Sequence, residues 1–435
     1  MNEKHSFTRR DFVKGSATVA GGVMLGALPF KSKANTAADK IKVALVGCGG
    51  RGTGAAVHAL SVPQDVELVA MADAFSDRLE SSYNNIVENI GDKQRVNVKD
   101  TNKFVGFDAY KEAIDLADVV ILTTPPGFRP IHLEYAINAD KHIFCEKPLA
   151  TDAAGIRKVL ELVAVSKQKK LNIVVGLNRR YDTIYRELIK RIHAGEIGQV
   201  TGAQAYWDGS GVWVHPRQPG WTEMEAQMRN WYYFNWLCGD HIVEQHIHNI
   251  DVINWAKEDY PVSCQGMGGR EVRTGHEFGE IFDHHYVEYR YADGTIMNSQ
   301  CRHIRGCFSR VGEEMIGTKG KADGRGTIYD LKGNVVWNHR NENDPGGYQQ
   351  EHDELFDAIV NGGYVNDLEN GAKSTMTAIM GRMATYSGVE IKWEDAINSD
   401  NILVPDKFGW DVNPPVMPNP DGSYPIPIPG VTKVL

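Results

Sequence analysis

Short apolar runs alternate with amphipathic stretches through the first third of the chain, and a strand-period alternation replaces them further on. Residues 41–46 (IKVALV) form a β-branched, mostly apolar run, the pattern of a strand buried on both faces of a parallel sheet. That run leads through Gly47-Cys48-Gly49-Gly50-Arg51-Gly52 into an Ala-rich helical stretch over 53–60. Further strands are predicted at 66–72, 119–122 and 142–145, with a helix around 131–138. From about 261 to 337 the period changes to two, for example over 285–291 and 295–300, with Gly and Asp turns between. Helices are predicted again over 349–361 and 371–386. The segment 413–429 carries seven of the 18 prolines and reads as an extended arm over the surface or over a neighbour. The pattern predicts an α/β domain over 40–149, an α+β domain with an open, largely antiparallel sheet over 150–400, and the arm over 401–435.

A length of 435 residues at 42% hydrophobic and 24% charged supports two domains with adequate cores and excludes disorder. Lys and Arg number 47 against 56 Asp and Glu, so no basic surplus exists to hold a phosphate backbone, and nucleic acid is excluded as a partner. The six cysteines (Cys48, Cys145, Cys238, Cys264, Cys301, Cys307) contain no C-x-x-C pair and read as free thiols. At the amino terminus, Arg9-Arg10 precede an uncharged Gly- and Ala-rich stretch over 15–30 and small residues near Ala34. This layout predicts a twin-arginine export signal over 1–34 and a periplasmic or otherwise exported protein. The stretch has 16 residues, four of them glycine, which is too short and too weakly apolar for a membrane anchor.

The glycines fit G-x-G-x-x-G between a strand and a helix, and each has a task. Gly47 makes the tight turn, Gly49 lets backbone N–H groups approach a pyrophosphate, and Gly52 lets the helix pack on the strand. Asp73 ends the second strand, where a Rossmann fold places the carboxylate that accepts from a ribose hydroxyl. A carboxylate there repels a 2′-phosphate, so NAD is favoured, while Arg51 and Arg78 keep NADP open. Thr123-Thr124-Pro125 follow the strand at 119–122 and belong at the carboxyl edge of the sheet, where ligands of such folds bind.

With these motifs, the chain resembles the Gfo/Idh/MocA oxidoreductases, the glucose–fructose oxidoreductase and inositol dehydrogenase superfamily. The resemblance rests on the glycine turn, Asp73, Glu146-Lys147-Pro148-Leu149 with Thr151-Asp152, Gly176-Leu177-Asn178-Arg179-Arg180-Tyr181, and His248-Asn249-Ile250-Asp251 followed by Trp255. It spans about 40–400 and implies a Rossmann domain, a second open-sheet domain, a sugar or glycoside substrate and a homo-oligomer. It also implies that Glu146 lies by the cofactor, that Lys147 bonds the reacting hydroxyl beside the nicotinamide, and that Asn178, Arg179, Arg180 and Tyr181 line the substrate site. A lysine between a buried strand and a proline-fixed turn suits that task, because partial desolvation favours its neutral form.

Helical spacing over 239–251 puts His241, Glu244, His248 and Asp251 on one face. Dehydrogenases of the group carry Asp four residues before the histidine, whereas this chain has Glu244. His248 is the expected proton acceptor, oriented by the carboxylates. His241, Glu244 and His248 are also metal-ligand types, yet the spacing is not H-E-x-x-H and no third-ligand motif accompanies it, so no metal is expected. Trp207, Trp213, Trp221 and Trp231, interleaved with Asp, Asn, His and Arg, suit the apolar face of a sugar and serve equally as core or interface. A protein exported already folded favours a retained, recycled nicotinamide. Two chemistries follow: oxidation of a secondary hydroxyl at carbon 3, or glycoside hydrolysis through transient oxidation, elimination, water addition and re-reduction. A non-catalytic sugar- or cofactor-binding protein is a third reading, opposed by the presence of both Lys147 and His248.

Overall fold

A computed structural model describes residues 40–92, 94–339 and 345–435; the export segment expected at 1–34 lies outside them. The first domain is a six-stranded parallel sheet of β1 (Ile41–Val46), β2 (Val66–Asp73), β3 (Lys103–Val105), β4 (Val119–Leu122), β5 (His142–Cys145) and β6 (Ile173–Val175). Its order is β3-β2-β1-β4-β5-β6, which reverses direction between β1 and β4. At such a switch point the connections leave to opposite sides and open a crevice at the carboxyl ends of the strands. Every residue of β4 is buried because crossover helices cover both faces, which is why the run reads as continuously apolar. The sixth strand lies beyond the boundary expected at Leu149. It joins the sheet through the crossover helix Ala153–Gln168, so the parallel layer takes in residues up to about 176.

The second domain holds a nine-stranded sheet: β7 (Val200–Gly209), β8 (Ser263–Gly269), β9 (His284–Arg290), β10 (Ile296–His303), β11 (Arg310–Gly317), β12 (Gly320–Asp323), β13 (Thr327–Asp330), β14 (Val335–Asn338) and β15 (Ile391–Lys392). The order is β14-β13-β12-β11-β7-β10-β9-β8-β15, antiparallel except for the parallel pair β7 and β10. Strict alternation in β10 turns Met297, Ser299, Cys301 and His303 to the covered face.

Five helices bear on the site: α1 (Gly50–Leu60), α2 (His241–Glu244), α3 (Ile247–Lys257), α4 (Gly347–Asn361) and α5 (Leu368–Ser387). Helix α5 packs on β8 and β9 and is buried almost all round. Helix α4 returns to the first domain, where Leu355 and Phe356 join the core behind β1 and α1, and Gln349 donates to the His58 carbonyl. The single helical face expected over 239–251 is interrupted. The chain folds as α2 and α3 with a break at Gln245-His246, where the His246 N–H reaches back five residues to the His241 carbonyl. This break sends His241 inward and separates it from His248. The proline-rich ending lies along the chain's own surface: Trp410 packs on Phe75 and Phe107, Tyr424 packs on Phe234, and Val434 is buried.

Candidate active site

The glycine turn is shaped by contacts that leave no room for side chains. Gly47 has φ +95°, and a Cβ on Gly52 would sit 2.0 Å from the Gly47 carbonyl oxygen and 2.5 Å from Thr123 Oγ1. Among the described residues nothing stands within 4 Å of a Cβ built on Gly49 or Gly50, and both line a groove of about 520 Å³. Helix α1 begins there after Gly49, whose position gives its first N–H groups no side-chain cap among the described residues, an arrangement suited to a pyrophosphate. Asp73 lies at the other end of the turn. Its two oxygens accept from Cys48 N at 2.6 Å and Phe75 N at 2.9 Å. Burial raises its carboxyl above the usual range, and these two N–H groups pull it back. Thr123, Thr124, Pro125 and Arg78 complete the first domain's side of the groove, while Trp213, His215, Met228, Arg229 and Trp231 roof it from the second domain. The donor set and the cradle fit a dinucleotide.

Not every residue expected at the cofactor faces it. Cys48 turns its thiol into the core, with Sγ 3.5 Å from the Ala72 carbonyl. Arg51 lines the groove, yet its guanidinium pairs with Glu146 and, at 3.0 Å, with Glu351 of α4. Glu146 therefore acts on the groove through Arg51. Glu351 has no motif around it and stands 300 positions away in the chain, so only the fold reveals this partner.

Lys147 follows β5 and reaches across to the break between α2 and α3. Its Nζ donates to Glu244 Oε1 at 2.9 Å and to the Glu244 carbonyl at 2.6 Å, with both side chains only 12–14% exposed. His248 is nearly buried, and its Nδ1 has no hydrogen-bond partner among the described residues. Burial, then the positive charges of Lys147, Arg179 and Arg51, hold its imidazole well below the usual range, so it is neutral at pH 7. The ring lies 6.1 Å from Trp207, nearly parallel, and Arg179 stands 5.9 Å over the same indole. Arg179 is itself fixed by Glu313, which also accepts from Asn249 at 2.6 Å and Tyr185 at 3.1 Å. Lys147, Glu244, His248, Arg179 and Trp207 thus form one cluster, with half-buried Asn178 in the turn before Arg179.

The remaining candidates lie elsewhere. Both Asp251 oxygens receive Arg180 at 2.8 Å, and Ser374 donates to one of them, so this buried pair clamps the 178–181 turn to α3. Tyr181 is a core residue whose hydroxyl is bonded to Asp367. Trp231 roofs the dinucleotide groove. His241 is fully buried, stacked 4.1 Å from His303, and takes no place beside Lys147.

A parallel sheet with a glycine turn at its switch point, roofed by an open-sheet domain that carries a charged cluster, defines a dinucleotide-binding protein of two domains. Residues 41–176 match the family described as oxidoreductase family, NAD-binding Rossmann fold. This segment, the parallel-sheet domain, belongs to the Gfo/Idh/MocA family and is an NAD-binding Rossmann fold. An inositol 2-dehydrogenase of Salmonella paratyphi B is 30% identical over 221 residues, covering 51% of this chain and 56% of that protein. Inositol 2-dehydrogenase 3 of Saccharopolyspora erythraea is 30% identical over 259 residues, covering 59% and 64%. The matched segments thus span little more than half the length of these curated relatives. Among solved structures, aldose-aldose oxidoreductase from Caulobacter crescentus complexed with glycerol superposes with a TM-score of 0.63 at 19% identity, covering 81% of this chain and all of that one. Levoglucosan dehydrogenase in complex with NADH and levoglucosan gives 0.63 at 16% identity, covering 81% and 99%. At these identities the likeness establishes the fold.

Proposed function

We propose that the protein uses NAD to oxidise a secondary hydroxyl of a sugar or glycoside at carbon 3. The observation that carries this reading is the meeting of the Lys147–Glu244 pair with a neutral His248 beside the stacked Trp207 and Arg179. NAD, when bound, supplies the hydride acceptor. Lys147 holds the reacting oxygen through its ammonium, and Glu244 keeps that ammonium aimed by anchoring it from two sides. His248, unprotonated, receives the hydroxyl proton. Trp207 offers an apolar face to the sugar ring, and Arg179 donates to its hydroxyls. The relatives named above act on, or are crystallised with, polyols and sugars, which supports the substrate class.

One observation favours a second reading, glycoside hydrolysis. The cluster holds two proton-accepting groups, His248 and Glu244, and the roof over the groove suits a nucleotide that stays through the cycle. Oxidation at carbon 3 acidifies the adjacent C–H; a base removes that proton, the glycosidic oxygen leaves, water adds, and return of the hydride restores the hydroxyl. Purified protein is first denatured to release and identify any bound nucleotide. Intact protein is then incubated with aryl glycosides and free sugars, with and without NAD. A keto-sugar with one NADH per turnover supports the dehydrogenase, and glycoside cleavage with no net NADH supports hydrolysis. Neither product from any member of the panel, in protein shown to bind NAD, would leave the binding-protein reading. We also propose export through the twin-arginine signal and a homo-oligomeric assembly. Fractionation of producing cells, with Arg9→Lys/Arg10→Lys retained inside, and light scattering check the two.

A further inference from the structure

Asp240, His241 and His285 converge in the interior of the second domain, with side chains at most 1% exposed. Each offers one ligand atom, and these three atoms lie within 4.8 Å of one another. Asp240 and His241 come from the start of α2, while His285 comes from β9. Neither ring nitrogen of His241 has a hydrogen-bond partner among the described residues, so a fully buried imidazole has given up its hydration without replacement.

The surroundings of His285 say what would replace it. Its Nδ1 stands 2.9 Å from Thr385 Oγ1. That hydroxyl's own hydrogen is committed to the carbonyls of Gly381 and Arg382, so Nδ1 carries the ring hydrogen and donates it. The ring's Nε2 faces Asp240 Oδ2 at 3.2 Å. A bare nitrogen lone pair facing a carboxylate repels it, so either a proton or a metal ion lies between them, and only a metal ion would also serve the unpartnered His241. Thr385 stands where the outer partner of a metal-ligating histidine stands. Asp240 is oriented in the same manner, by the Phe282 N–H at 3.0 Å and the Tyr386 hydroxyl at 2.5 Å. His303 covers His241 by stacking and gives its Nε2 to Gln245, so it completes the wall without serving as a ligand.

We propose that Asp240, His241 and His285 bind one divalent transition-metal ion of the zinc type, tying the start of α2 to β9. Two imidazoles and a carboxylate are the donor set such ions take. The ion fixes α2 and hence the placement of Glu244, which lies at the other end of that short helix. Its task is structural and separate from the hydride chemistry.

The test uses full-length protein, with zinc counted by mass spectrometry after gel filtration in metal-free buffer and its ligands read by X-ray absorption. About one zinc per chain is expected, with two imidazole nitrogens and a carboxylate oxygen in the first shell. His241→Gln and His285→Gln should each weaken zinc binding by about 100-fold or more. Wild-type protein that holds less than about a tenth of an equivalent, both as purified and after incubation with zinc, overturns the proposal. Variants that keep the wild-type stoichiometry overturn it as well, since the ion then lies elsewhere. Should the variants not fold, the wild-type absorption spectrum decides, and a shell with sulfur or without imidazole refutes the assignment.

Discussion

Replacing Lys147 with methionine removes one charge from a contact of 2.9 Å whose partners are 12% and 14% exposed. Methionine keeps most of the volume, so the principal loss is electrostatic. Glu244 then remains as a carboxylate with little water and no cation, a situation that costs about 3 kcal/mol, the lower end for buried pairs because a little exposure persists. For a chain of this length that loss corresponds to a drop of about 3 °C in Tm. Turnover should fall by about 10²–10⁴-fold, as for removal of a positioned proton-handling group. Nucleotide content should stay the same, because Lys147 is not among the residues lining the dinucleotide groove. The double variant Lys147→Met/Glu244→Gln separates the two effects: removing the stranded charge should restore most of the lost Tm while turnover stays low. Tm by calorimetry, nucleotide per chain and NADH formation on a sugar panel are the readouts. A Lys147→Met protein with turnover within about tenfold of wild type would remove Lys147 from the mechanism. A double variant no more stable than the single one would refute the stranded-charge argument.

Three further outcomes are expected. Gly52→Ala places a methyl 2.0 Å from the Gly47 carbonyl, so α1 must shift away from β1; NAD binding should weaken by about 100-fold or more while the second domain's near-ultraviolet signal persists, measured by calorimetric titration. Asp73→Ser removes the charge that rejects a 2′-phosphate and leaves Arg78 in the groove, so the NADP to NAD affinity ratio should rise by about tenfold or more in paired titrations. Burial holds His132 and His246 down at about 3 and His352 well below its ordinary value, whereas an unfolded chain protonates them near about 6.5. Below that pH the unfolded state binds more protons, so stability is lost as pH falls, by up to about 1.4 kcal/mol per histidine per unit. Glu280, raised by burial to about 7, gains a proton in the folded state and offsets part of this. Urea midpoints at pH 7.5 and 5.5 check the direction, and a midpoint that rises towards acid would refute it.

Features set by neighbours in the chain were legible in the sequence. The strands 41–46, 119–122 and 142–145 coincide with β1, β4 and β5, because a parallel strand covered on both faces must be apolar throughout and so marks its own ends. The glycine turn was equally plain, since close approach of backbones demands glycine at fixed spacing, and Asp73 follows from the length of one βαβ unit. Period-two alternation announced the second sheet but not its order, because each strand's pattern states which face is buried and not against which partner. The same limit explains the helix over 239–251. Periodicity put His241, Glu244, His248 and Asp251 on one face, but Asp240 at φ +71° and the break at Gln245-His246 redirect them to three different places. His241 joins His285 and His303, Asp251 clamps Arg180, and Glu244 and His248 meet Lys147. Arg51 with Glu351, Arg179 with Glu313 and the roof of Trp213 and Trp231 were beyond sequence reading for the same reason. Local sequence determines which groups are presented and on which side of an element, whereas ion pairs and covers form between elements whose meeting is decided by packing of the whole chain.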